Sequence, residues 1–153
     1  MKFYHIALLG FGLVSSVNAA DITILYSPTC PHCHHARDFI KNELIYEYND
    51  LKVTEINATL MDSRQDFVDA LNKCQFTSGG VPIMIVGDKC FQGYGDGMKD
   101  SLREAIEIDL SDEQKQSAVA NRSELGANHD EFVAAHEQRK TAIVDKYVEP
   151  KQD

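Results

Sequence analysis

Several things are missing from this 153-residue chain, and each absence closes off a class of function. There is no basic cluster: 15 Lys and Arg stand against 24 Asp and Glu, giving a formal net charge of −9. A phosphate backbone needs clustered cations, and here they are scattered, which argues against a nucleic-acid partner. No internal repeat or low-complexity tract is visible, which sets aside repeat arrays. No apolar run reaches the ~20 residues that span a bilayer, so no stable membrane anchor is expected. Cysteine is scarce, four in all, and none follows the amino-terminal apolar run closely enough to suggest lipidation. The length suits one domain with a real core and is short for two.

What is present begins with an export signal. Lys2 precedes the apolar run Ile6-Ala7-Leu8-Leu9-Gly10-Phe11-Gly12-Leu13-Val14, and the small and polar residues Ser15 to Ala20 follow. This is the pattern of a secretory leader. Val17 and Ala19 suit the −3 and −1 positions of cleavage after Ala19, so the chain divides into a leader (1–19), a domain (20–110) and an extension (111–153). The expected location is periplasmic or otherwise exported, an oxidising compartment where thiol pairing is chemically meaningful.

The domain reads as α/β. Ile22-Thr23-Ile24-Leu25-Tyr26 is β-branched and apolar with little polar relief, as in a strand covered on both faces. From Pro31, the residues Ala36, Phe39, Ile40 and Leu44 recur at helical spacing. Leu51 to Asn57 alternates as a strand does. Asp62 and Ser63 read as caps of a second helix carrying Phe67, Val68, Ala70 and Leu71 and ending near Cys74. The turn-rich Thr77 to Pro82 leads into a hairpin, Pro82 to Val86 and Lys89 to Tyr94, closed at Gly87-Asp88. A third helix from Asp96 or Gly97 uses Met98, Leu102, Ile106 and Leu110. The predicted order is βαβαββα, a mixed sheet of four strands. In the extension, Ser111 to Gln114 and Asn128 to Glu131 read as capping boxes of a helical tail with a thin apolar stripe of Phe132, His136, Ile143, Tyr147 and Val148.

The cysteines fall into two pairs of different character. Cys30-Pro31-His32-Cys33 sits where the first strand gives way to the first helix. Pro31 suits the first helical position, since its missing N–H costs nothing there. Cys30 then lies at the helix N-terminus, where free amide groups and the helix dipole stabilise a thiolate and lower its pKa from the usual ~8.5. His32 can add positive charge. Cys30 is thus the candidate nucleophile and Cys33 the resolving thiol, and stabilising the reduced pair makes the disulfide more oxidising. Cys74 and Cys90 would close a loop of about 17 residues worth roughly 3 kcal/mol, which suits a structural disulfide, with a second redox relay as the sharper alternative.

These motifs together resemble the thioredoxin superfamily over roughly residues 21 to 110, with a glutaredoxin-like core: Cys30-Pro31-His32-Cys33 after a buried strand, Gly80-Val81-Pro82 before the third strand, and Gly93-Tyr94-Gly95-Asp96 after the fourth. The resemblance implies a cis Val81-Pro82 peptide beside the dithiol, with Val81 and Pro82 shaping a substrate groove and Gly95 and Asp96 meeting a peptide amine or glutathione. It implies thiol–disulfide exchange with protein thiols, with no cofactor and no metal. The Pro-His pair is similar to that of exported Dsb-type oxidases, although the stretch from Asn57 to Val81 is too short for their helical insertion. Ser27-Pro28-Thr29 lacks the basic residue that glutaredoxins place before the dithiol. An alternative use of the same residues is a binding module: Cys30, Cys33 and His34 also match c-type haem attachment, and with His35 they offer soft ligands for copper(I).

Overall fold

The computed structural model describes residues 18–148. The stretch read as a leader lies outside them, apart from Asn18 and Ala19. Strand β1 (Ile22–Tyr26) runs through the middle of one sheet, flanked by β2 (Val53–Asn57) and β3 (Ile83–Val86), with β4 (Lys89–Gln92) beyond β3. β2 runs parallel to β1, whereas β3 is antiparallel to β1 and β4 to β3. The carboxyl ends of β1, β2 and β4 and the amino end of β3 therefore share one end of the sheet.

Alternation along β1 divides the core between two faces. Ile22 and Ile24 pack with Phe39, Ile40, Leu44, Leu102 and Ile106, under helix α1 (Pro31–Phe39) and helix α4 (Lys99–Ile106). Leu25 points the other way and joins Ile56, Ala70 and Ile83 beneath helix α3 (Arg64–Cys74). Helix α1 continues through a π-helical turn, Ile40–Leu44, into the short helix α2 (Ile45–Glu47). Ser63 does not cap α3 through its side chain. Its hydroxyl donates to the carbonyls of Asn57 at 2.6 Å and Leu60 at 2.9 Å, tying the turn back to β2.

The sheet has five strands, not the four expected from the sequence, and the extension is not wholly helical. Helix α5 (Asp112–Ala127) begins with the expected capping box: Ser111 Oγ accepts from the Gln114 amide and Gln114 Oε1 from the Ser111 amide. Helix α6 (His129–Ala135) has no side-chain cap at Asn128. Strand β5 (Ile143–Asp145) then pairs parallel with β2, Ile143 opposite Val53 and Asp145 opposite Glu55. Three residues are too few to show a period-two pattern, and this strand depends on anchors elsewhere. The Arg139 guanidinium donates to the carbonyls of Ile45, Tyr48 and Leu51 at 2.8 to 3.0 Å, satisfying acceptors left by the end of α2. Arg122 reaches from α5 to Glu47, whose buried carboxylate also takes two hydrogen bonds from Arg103.

Two carboxylates that hold the end of the tail titrate in opposite directions. Burial and the adjoining Glu55 carboxylate raise the pKa of Asp145. Burial also pushes Asp66 upward, but hydrogen bonds from Lys146 and Tyr147 outweigh it and hold Asp66 below its ordinary value. The stabilising effect of the raised group is complete below its unfolded pKa and is lost as pH rises through the folded one, while that of Asp66 is present above its unfolded pKa and lost on acidification. Amide-exchange protection of Lys146, whose N–H donates to Glu55 O at 2.9 Å, is therefore expected to peak near the ordinary carboxylate range. Asp145→Asn should flatten the decline on the alkaline side.

Candidate active site

The site is built where β1 ends. After Tyr26 the chain makes a turn in which the Cys30 amide donates to Ser27 O at 3.2 Å. Cys30 then takes an extended conformation (φ −91°, ψ 115°) at the N-cap of α1, with Pro31 in the first turn, as the sequence predicts. Its sulfur accepts a hydrogen bond from the Cys33 amide at 3.2 Å, the position that a capping oxygen usually takes. Cys30 and Cys33 are paired as a disulfide, with their Cα atoms 5.2 Å apart. The two sulfurs differ in access, since Cys30 is half-buried, whereas Cys33 is 0 % exposed beneath the first turn. Pro31 and His32 are exposed on the outer side of that turn.

Val81-Pro82 enters from the opposite direction. The peptide is cis, and the Val81 carbonyl oxygen lies 3.7 Å from Cys30 Sγ. The antiparallel pairing of β3 with β1 accounts for this, because Leu25 faces Ile83 and the residues just before β3 arrive where β1 hands over to the dithiol turn. The bend is fixed by Gln92, which the sequence did not single out, and by the backbone of Gly93, which opens the motif after the fourth strand. Gln92 Nε2 donates to Ser78 O at 2.8 Å and to Gly80 O at 3.0 Å, and the Gly93 amide donates to Pro82 O at 2.8 Å. Gly93 has φ +78°, a conformation that favours glycine there.

A cysteine pair on a helix N-terminus beside a cis-proline bend, at one end of a β4-β3-β1-β2 core, decides the class. The fold is thioredoxin-like. The sheet carries β5 as an added edge strand. A solved glutaredoxin from Archaeoglobus fulgidus is similar at 25% identity over 55% of this chain and 86% of that one, with a TM-score of 0.42. No protein-family model and no curated protein matches the sequence.

Within this thioredoxin-like site the residues singled out from sequence are distributed unevenly. Cys30, Pro31, His32, Cys33, Val81 and Pro82 converge. Gly95 and Asp96 lie exposed at the same end of the sheet, and Asp96 opens the 3-10 turn Asp96–Met98 rather than capping it. His34 turns back, its Nε2 2.7 Å from Pro28 O, bracing the dithiol turn. Among the described residues, no three His, Cys, Asp or Glu side chains are grouped to hold a metal. Likewise no helix among them is long and apolar enough to cross a membrane. Cys74 and Cys90 form the second disulfide, joining the end of α3 to β4.

Two outcomes test this geometry. In the reduced protein, Cys30 should be carboxamidomethylated at least roughly tenfold faster than the enclosed Cys33 at mildly acidic pH, as read by mass spectrometry of the modified peptides. Replacing Cys74 and Cys90 together by Ala should lower unfolding free energy by about 3 kcal/mol while leaving the potential of the Cys30–Cys33 couple in place. A shifted potential would favour the relay.

Proposed function

We propose that the chain is an exported thiol–disulfide oxidoreductase that acts on protein thiols and disulfides, chiefly as an oxidant, with glutathione as the other candidate thiol. One observation carries the reading: Cys30 Sγ holds the N-cap position and takes the Cys33 N–H at 3.2 Å, while Cys33 is enclosed. A sulfur so placed is stabilised as an anion by amide groups and by the positive end of the helix. It is therefore both the good leaving group and the accessible point of attack.

The exchange follows from this asymmetry. A substrate thiolate attacks Cys30 Sγ of the Cys30–Cys33 disulfide, forming a substrate–Cys30 disulfide and expelling the Cys33 thiolate. A second substrate thiolate attacks the substrate sulfur of that mixed disulfide and expels Cys30 as thiolate. The substrate leaves as a disulfide, two electrons poorer, and the protein is left as the dithiol. In reverse, the Cys30 thiolate attacks a substrate disulfide and Cys33 resolves the adduct. Beside Cys30, Val81 and Pro82 line the path of an approaching chain. Gly95 and Asp96, at the same sheet end, would meet its amine. Export rests on the leader pattern of residues 1–19 and agrees with a disulfide-forming role.

Cys30→Ser should abolish turnover of protein and glutathione mixed disulfides, and Cys33→Ser should trap a mixed disulfide through Cys30. Full activity in the Cys30 variant would refute the assignment. The midpoint potential of the couple, measured against glutathione, should fall closer to the about −120 mV of a strong oxidant than to the about −270 mV of a reductant.

A further inference from the structure

A cleft of about 440 Å³ lies beside the dithiol turn on the side away from Val81, bounded by Tyr26, Pro28, Arg37, Tyr147 and Val148. Its outer wall belongs to the extension. Tyr147 is pinned by its hydroxyl, which donates to Asp66 Oδ2 at 2.6 Å, and Lys146 by an ion pair to the same carboxylate at 2.7 Å. The polar groups lining the cleft are already engaged. Arg37 makes a bidentate pair with Glu55 at 2.7 and 3.0 Å and lies 3.9 Å over the Tyr26 ring. His34 is held by Pro28 O, and Asn57 Oδ1 accepts from Thr59. Asp145 also lines the cleft, its carboxyl hydrogen-bonded to Glu55. Beyond these engaged groups, what remains to contact a ligand is apolar: Pro28, the Tyr147 ring, and Val148, which is 83 % exposed.

Resting on the oxidoreductase reading, we propose that this cleft is a specificity subsite for an apolar or aromatic side chain of an extended polypeptide, two or three residues from the cysteine that meets Cys30. The spacing comes from the sheet. The dithiol follows β1, and Lys146 to Val148 follow β5 two strands away. At about 4.8 Å per strand that is about 10 Å, or about three extended residues at about 3.3 Å each. Glutathione has a single residue on either side of its cysteine and cannot reach. The subsite therefore selects unfolded polypeptide over the tripeptide.

The test uses the full chain in its dithiol form and heptapeptides whose single cysteine is a mixed disulfide with 5-thio-2-nitrobenzoate. Cys30 thiolate attacks the peptide sulfur, the coloured thiolate leaves, and Cys33 then releases the peptide thiol. Phe is placed one to four residues from the cysteine on either side, and an all-Gly peptide is the reference. Each protein molecule reacts once and ends as the Cys30–Cys33 disulfide, so the readout is the second-order rate constant of coloured-thiolate release in a single turnover. Phe at two or three residues on one side should raise it roughly tenfold over the reference, the scale of discrimination an apolar pocket gives. Val148→Asp and Tyr147→Ala should bring that ratio close to one, and Tyr147→Phe should keep most of it. Val148→Asp alters an exposed position, so its result does not hinge on folding. A ratio near one at every position in the unaltered protein, or one unchanged by Val148→Asp, overturns the subsite while leaving the redox reading intact. Failure to release the coloured thiolate from any of the peptides, the all-Gly one included, overturns both.

Discussion

The antiparallel pairing of β3 with β1 turns two distant stretches of chain into one site. Because Leu25 faces Ile83, the residue pair before β3 is delivered to the point where β1 becomes the dithiol turn, and Val81 O comes within 3.7 Å of Cys30 Sγ. The register is set by burial. Slipping β3 by one residue would exchange Ile83 and Met84, both fully buried on opposite faces, and expose the two cores to each other's geometry. Gln92 and the Gly93 amide then refine a placement that the hydrophobic pattern has already made.

The second disulfide and the extension support opposite flanks of that arrangement. Cys74–Cys90 fastens α3 to β4 on the side of the Val81-Pro82 bend. On the other side the tail is held both by apolar contact, with Ala118, Leu125 and Phe132 buried in the larger core, and by charge. Glu47, 0 % exposed at its side chain, faces two guanidinium groups, Arg103 and Arg122, and Arg139 spends its donors on three backbone carbonyls. Removing one partner of such a buried pair leaves an uncompensated charge, which costs far more than losing an exposed pair.

Much of this was legible in the sequence wherever a local rule was strong. The apolar run Ile22 to Tyr26, the Pro31 start of α1, the Gly87-Asp88 turn and the Ser111 capping box each follow from chemistry within a few residues. The dithiol was legible for the same reason. The long-range choices were not. Glu47, Glu55 and Arg37 read as ordinary charged residues, yet their partners lie 18 to 75 positions away. Ser63 resembled a helix cap because serine usually is one, but the carbonyls of Asn57 and Leu60 offered its hydroxyl better partners. Gln92 carried no signal, since its role depends on a loop 12 to 14 residues earlier. β5 escaped notice because a three-residue strand has no pattern of its own.

That short strand also bears on how the molecule keeps apart from its neighbours. A sheet ending at β2 would present five residues of unpaired backbone to any passing chain, a template for edge-to-edge polymerisation. β5 replaces that border with three residues, one of them Asp145. At the far border, β4 is four residues long and begins with the exposed Lys89. Short, charged margins of this kind would let the protein stay dispersed at concentrations where a longer open edge would pair with its neighbours.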